Sequence, residues 1–333
     1  MSGKNKSFLP ATELLDDYHA LCQEAGFLRL PRTVIDLHGN DRASFLNNFC
    51  THDVVSLLPG QGCEAFLTSV QGKILGHILI FCRNECLRVV TVAGQADHIL
   101  CHLDRYLIRE DVQLVDQSAD MSVWVVCGGK APKILDSLHV PLPQEVWQHC
   151  ASNLAGAEVT VCRSDMVREP CFLLVSESSA ASEVTGKLEE AGGRACDCEA
   201  WQMLRLESGW PEYGTDITED NLPQEVGRDA QAISFTKGCY LGQETVARID
   251  ALGHVNWYLA VVQFHSQSLD QLPSPGSELT VEGKVAGRLT SSVYSPRTDS
   301  VLALAYVRHE HRSPDSQLQS TSGTCGIISP LTT

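Results

Sequence analysis

The sequence has no long apolar run and little positive charge, and each shortage narrows what the protein can be. Its longest apolar stretch, Ile74 to Phe81, is broken by Gly76 and His77. A membrane-spanning helix needs roughly 20 apolar residues, so no membrane partner is expected. Lysine and arginine number 25 against 41 aspartates and glutamates, a formal net charge of −16. Nucleic-acid binders draw much of their affinity from cations on phosphate. With no basic run here, direct nucleic-acid binding is not expected, although a small basic pocket is compatible with the balance. No G-x-G-x-x-G follows a strand-like run, which removes the usual dinucleotide cradle.

Cysteine, by contrast, is plentiful at 14 residues. The spacing does not suggest metal binding: no C-x-x-C occurs, and the closest pairs are Cys196-x-Cys198 and Cys82-x-x-x-Cys86. Zinc and iron–sulfur sites are usually built on tighter pairs, so no metal ligands are assigned. No apolar run follows the first lysines, and Glu13, Asp16 and Asp17 precede any arginine, a pattern unlike a secretory or transit peptide. The thiols are therefore expected to be reduced, in the cytoplasm.

A length of 333 residues leaves room for about two domains. Leu14, Leu15, Tyr18, Leu21 and Cys22 recur at helical spacing, so residues 1–27 read as an N-terminal helical segment. From residue 28 to 250, strand-like runs such as Gly62–Thr68, Lys73–Cys82 and Cys86–Val92 alternate with helical stretches near 95–107, 130–138, 180–191 and 197–207. Hairpin-length connections between them point to α+β rather than a parallel doubly wound sheet. Two such units are expected, with a boundary near residue 118. After Gly253 the pattern is all-β, and residues 251–310 read as a small barrel. Residues 311–333, rich in Ser and Thr, are expected to be disordered.

The most informative stretch is Lys237-Gly238-Cys239-Tyr240-Leu241-Gly242-Gln243-Glu244, followed by Arg248. Two glycines bracket the thiol, which suggests a tight exposed turn, and Lys237 beside it is the kind of cation that favours thiolate. Taken as a whole, this string resembles the signature of the YgfZ family of folate-binding proteins, relatives of the T-protein (aminomethyltransferase) of the glycine cleavage system. A second segment, from Arg205-Leu206-Glu207 through Gly209-Trp210-Pro211 and Tyr213-Gly214 to Asp216-Ile217, resembles a motif shared by both groups. Weaker similarities at residues 65–74 and 287–307 extend the likeness over most of residues 28–310.

The resemblance implies an aminomethyltransferase-like body of two α+β units with a C-terminal β-barrel, binding tetrahydrofolate or a derivative. It implies that Glu207 grips the pterin, since one carboxylate can accept two adjacent N–H bonds as a fork. Lys237, Arg205 and Arg248 are candidates for the anionic glutamyl tail, and the arginines are equally candidates for ordinary ion pairs. Trp210 and Tyr213 are placed either against the pterin face or in the core. The implied role is in maturing or repairing iron–sulfur enzymes, including those that modify tRNA, with Cys239 as nucleophile, transient ligand or partner contact. The T-protein's catalytic aspartate follows Val-Val-x-Asn-Ala. Here Val92 stands where that asparagine would be, and Asp97 is the nearest acidic candidate. Aminomethyl transfer or demethylation is the alternative, with Asp97 as acid or base. A folate-independent thiol enzyme would need a histidine beside Cys239, and His254 is the nearest in sequence.

Overall fold

The computed structural model describes residues 10–154, 156–265, 272–314, 316–321 and 323–330. Helix α1 (Thr12–Gln23) leads into β1 (Gly26–Leu30), and Pro31 alone separates that strand from β2 (Arg32–His38). Next come α2 (Arg42–Asn47), β3 (Gly62–Thr68), β4 (Ile74–Cys82), β5 (Leu87–Val92), α3 (Ala96–Asp104) and β6 (Gln113–Asp116). The second half of the body holds β7 (Met121–Cys127), α4 (Ala131–Ser137), β8 (His149–Leu154), β9 (Ala157–Ser164), β10 (Cys171–Glu177), α5 (Ala181–Glu190), β11 (Arg194–Ala195) and α6 (Cys198–Glu207).

These strands make two sheets, ordered β3-β4-β5-β2-β6 and β11-β1-β7-β10-β9-β8. Strand alternation explains why each is apolar on both faces. In the first sheet Ala65, Leu67, Ile78 and Ile80 pack with Phe45, Phe49, Ile99 and Leu103 of the helical layer. Phe66, Leu79 and Phe81 turn the other way and meet Val123, Val125 and Leu173 of the second sheet. Trp124, Val126 and Phe172 then face Leu135, Val184 and Leu188 of α4 and α5. The body is therefore layered helix, sheet, sheet, helix, an α+β architecture with one shared core between the sheets.

The chain crosses between the sheets more than once. β1 pairs with β7 and β11, whereas β2, one residue later, pairs with β5 and β6. It crosses again between β6 and β7, over residues 117–120. The two units thus interleave: the strand that begins the 28–250 region belongs to the second sheet. Sequence periodicity does not reveal this, because pairing partners are set by distant residues.

After α6, a polar connection carries α7 (Asp229–Ala232) and α8 (Gln243–Leu252) to a closed barrel, β12-β15-β14-β13-β16-β17. Its strands are β12 (Trp257–Phe264), β13 (Glu278–Val281), β14 (Lys284–Ser295), β15 (Ser300–Arg308), β16 (Gln317–Ser320) and β17 (Gly323–Pro330). The expected disorder of 311–333 is corrected over Gln317–Ser320 and Gly323–Pro330, which are strands. β17 pairs with β12 and closes the barrel, and Leu318 and Cys325 are fully buried. In β16 the polar composition reflects alternation, with Leu318 inside and Gln317 and Gln319 facing water.

Candidate functional site

The loop from Lys237 to Gly242 is held tightly, and its cysteine is left free. Lys237 Nζ donates to the carbonyls of Asn47, Cys50 and His52 at 2.7, 2.8 and 2.7 Å, and it lies 5.1 Å from the Tyr240 ring centroid. Leu241 N–H donates to Asn48 O, and Thr68 Oγ1 donates to Leu241 O. Gly242, at φ 83°, caps α8 and packs directly on Gly72 of the β3–β4 turn. That left-handed cap is a glycine position. Gly238 and Cys239 are exposed, and Tyr240 is buried. Gln243 and Glu244 open α8, on which Glu244 and Arg248 are exposed. The expectation that Lys237 is a cation facing the thiol or a ligand is therefore corrected. Burial lowers its pKa and three carbonyls occupy its donors. His254 lies tilted against His309 of the barrel junction, 5.1 Å between centroids, and its ring bonds the Leu252 carbonyl.

Glu207 ends α6, which starts from an Asp197 side chain accepting the Glu199 N–H, a standard N-cap. The helix is sandwiched between α1 and the barrel, so its last carboxylate is 4% exposed. Tyr18 OH donates to it at 2.8 and 3.0 Å, Ser295 Oγ at 2.5 Å and Arg297 Nε at 3.0 Å. Three protein donors thus converge on it, so the carboxylate is turned into the junction of body and barrel and does not stand as the free ligand-facing fork expected from the sequence. Arg205 is likewise internal: Nη1 donates to Asp216 Oδ2 at 2.8 Å and to Trp210 O at 2.9 Å. Asp216 Oδ1 accepts from Thr290 and Ser291 of β14, both at 2.6 Å. Glu207 and Arg205 therefore couple the body to the barrel. Tyr213 is buried beside Ile217 and belongs to the core.

Between the sheets lies a small chamber lined by Arg32, His77, Thr91, Met166, Trp210 and Glu212, among others. Its volume is about 30 Å³, room for about one water. Trp210 forms one wall, with the Arg228 guanidinium 4.5 Å from its ring and His77 at 5.2 Å. Arg228 is held by a fully buried Glu64 through Nε and Nη2 at 2.5 and 2.6 Å, and His77 Nε2 lies 2.8 Å from the same carboxylate. Burial alone would raise the Glu64 pKa; Arg228 and His77 outweigh it and bring it down to about 2. Sequence reasoning missed this cluster. The signal was a glutamate and a histidine inside otherwise apolar strands, where a charge needs a partner.

Outside the chamber, and sharing Arg32 with it, is a groove of about 460 Å³. It is lined by Arg29, Thr33, Ala93, Gly94, Asp97, Asp116 and Ser118 among others, at the two places where the chain crosses between sheets. Arg32 contacts Glu212 through both terminal nitrogens at 3.3 Å. Asp116 is engaged by Ser118. Arg29 and Asp97 are exposed and, among the described residues, have no side-chain hydrogen bond. Asp97 therefore faces the groove and does not line the inner chamber. A folate carries a fused bicyclic ring and an anionic tail: the chamber is too small for that ring, while the groove has the size of a ligand site and the matching cations.

Residues 29–237 match the family described as the GCVT N-terminal domain, and residues 260–324 match the glycine cleavage T-protein C-terminal barrel domain. An aminomethyltransferase of Corynebacterium aurimucosum is 28% identical over 309 residues, covering 88% of this chain and 81% of that protein. The tRNA-modifying protein YgfZ of Yersinia pestis is 26% identical over 300 residues, covering 89% and 87%. The crystal structure of glycine cleavage system aminomethyltransferase T from Bartonella henselae superposes with a TM-score of 0.85 at 19% identity, over 95% of this chain and 88% of that one.

Proposed function

Because the chain belongs to the glycine cleavage T-protein family, in its GCVT N-terminal domain and in its C-terminal barrel, we propose that it is a tetrahydrofolate-binding accessory protein of the YgfZ type. In this reading it acts in the cytoplasm on the assembly or repair of iron–sulfur proteins, including tRNA-modifying iron–sulfur enzymes. Its partners are those enzymes or their assembly factors, reached without direct contact to nucleic acid.

The observation that carries the reading is the loop around Cys239. The thiol is exposed, while Lys237 is tied to the carbonyls of Asn47, Cys50 and His52 and Leu241 to that of Asn48. A thiol held out on a fixed support suits contact with another protein, because little is lost in ordering it on binding. Bound tetrahydrofolate would supply a one-carbon acceptor; the residues suited to hold it are Arg29 and Arg32 for its carboxylates and Asp97 for its donor edge.

The test pairs calorimetry with a cellular assay. Cys239→Ser is expected to bind tetrahydrofolate like wild type and to lose support of iron–sulfur enzyme activity in cells lacking the native protein. Wild type that binds no folate, or a Cys239→Ser protein that gives full support, would overturn the reading. Aminomethyl transfer is the second reading, favoured by the likeness to the Corynebacterium enzyme and by Asp97 in the groove. It predicts turnover of an aminomethyl donor that Asp97→Asn abolishes.

A further inference from the structure

We propose that α3 carries a zinc site made by His98 and His102, with Glu219 as its carboxylate. The two histidines stand at i and i+4 on the helix, so both rings leave the same face. The Nε2 atom of each is buried and, among the described residues, has no hydrogen-bond partner. Buried polar atoms are ordinarily satisfied, by protein, water or an ion. Two unpartnered imidazole nitrogens on one helical face match a metal that both can bind, and Zn²⁺ takes such nitrogens at about 2.0–2.1 Å. Neither folate nor Cys239 takes part.

Glu219 supplies the distance that singles out a metal. Its Oε1 lies 3.7 Å from His98 Nε2, too long for a hydrogen bond. Two atoms bound to one tetrahedral zinc are separated by roughly 3.3–3.6 Å, so these two stand close to the spacing of a shared ion. Their side chains are 38% and 62% exposed, which leaves an entry path from solvent. His102 forms the inner wall, its ring edge-on to Phe49 and Tyr106 at 6.2 and 5.6 Å. Burial lowers its pKa, with His98 and Arg105 adding to the effect, which favours the neutral ring that binds metal. Among the described residues no three such side chains already form a closed coordination set. The helix therefore presents a pair, Glu219 closes on it with the ion, and water fills what remains. Phe49 follows Asn48, whose carbonyl holds Leu241 of the thiol loop, so zinc here would brace α3 against that loop's support.

The experiment is zinc titration of the full chain, followed by calorimetry and by NMR of ¹⁵N-labelled histidine. Of the 12 histidines, His98 and His102 are expected to show the Nε2 shift that marks coordination. His98→Gln is expected to weaken the tightest zinc event about tenfold or more, Glu219→Gln to weaken it less, and Cys239→Ser to leave it unchanged. His98 is partly exposed, so its variant should melt like wild type in the absence of zinc, which separates loss of a ligand from loss of the fold. The inference is overturned if wild type binds no zinc, if His98→Gln binds it like wild type, or if the Nε2 signals of His98 and His102 do not respond.

Discussion

Lys237 and Cys239 stand two residues apart and face opposite ways: the ammonium is sunk onto three backbone carbonyls, and the thiol is open to solvent. Removing the ammonium leaves the Asn47 and Cys50 carbonyls without their donor and His52 O with only the weak Cys50 thiol at 3.5 Å. Lys237→Met is expected to lower stability on the order of 3 kcal/mol. Cys239→Ser, at an exposed position, should stay within about 0.5 kcal/mol of wild type. Urea unfolding midpoints of the two variants check this, and equal midpoints would remove the anchoring role of Lys237.

Glu207 predicts a different loss. Glu207→Ala leaves Tyr18 OH and Ser295 Oγ buried without their acceptor, while Arg297 keeps Glu169. A cost of about 2–4 kcal/mol follows, read as a lowered melting temperature and as faster proteolysis between body and barrel. Glu207→Gln should recover much of it, because its carbonyl oxygen still accepts.

The acid side of the stability profile should report Glu64. Its folded-state pKa, about 2, lies below the ordinary 4.5. The stabilisation is therefore complete above pH about 4.5 and is lost as pH falls toward 2. Unfolding midpoints measured between pH 2 and 6 should fall steeply across that window.

Asp229 works in the opposite sense. Burial, helped by Asp250, raises its pKa from 3.8 to about 7. A raised carboxyl favours the fold fully below pH 3.8, and that contribution is lost as pH rises through about 7. Asp229→Asn should match wild type near pH 4 and exceed it at pH 8. A variant weaker than wild type at both values would show that the carboxylate serves another purpose.

Deleting residues 317–330 removes two barrel strands and leaves the backbone of β12 unpaired along one side. The expected result is an open-edged, aggregation-prone barrel, seen as loss of its protected fragment in limited proteolysis. A truncated protein that melts like wild type would contradict closure by the tail.

Much of this was legible in the sequence because it is local. Helical spacing at Leu14, Tyr18 and Leu21 gave α1, and β-branched runs bounded by turn residues gave β3, β4 and β5. The glycine-bracketed turn reads as exposed at both Cys239 and Tyr240; the thiol is exposed, whereas the Tyr240 ring is buried. What was not legible is non-local. β1 carries Gly and Arg and is too short to announce itself, and only its partners β7 and β11 make it a strand. Gln317–Ser320 is polar because one face is solvated, and its register with β17 is settled across the barrel. The direction of a long side chain is harder still. Nothing in Lys237-Gly238-Cys239 says that the ammonium will find backbone carbonyls 185 to 190 positions away, or that Glu207 will be enclosed by Tyr18 and Ser295.

The crossing at Pro31 has a mechanical consequence. One residue joins a strand of each sheet, and a single residue spans at most about 3.6 Å, so at this end the layers cannot drift apart without stripping a strand from its ladder. The body should therefore melt in one step, and any breathing of the interface must pivot about Leu30–Arg32 like a hinge pin. Arg29 and Arg32 sit on either side of that pin, so their separation is fixed by the backbone itself.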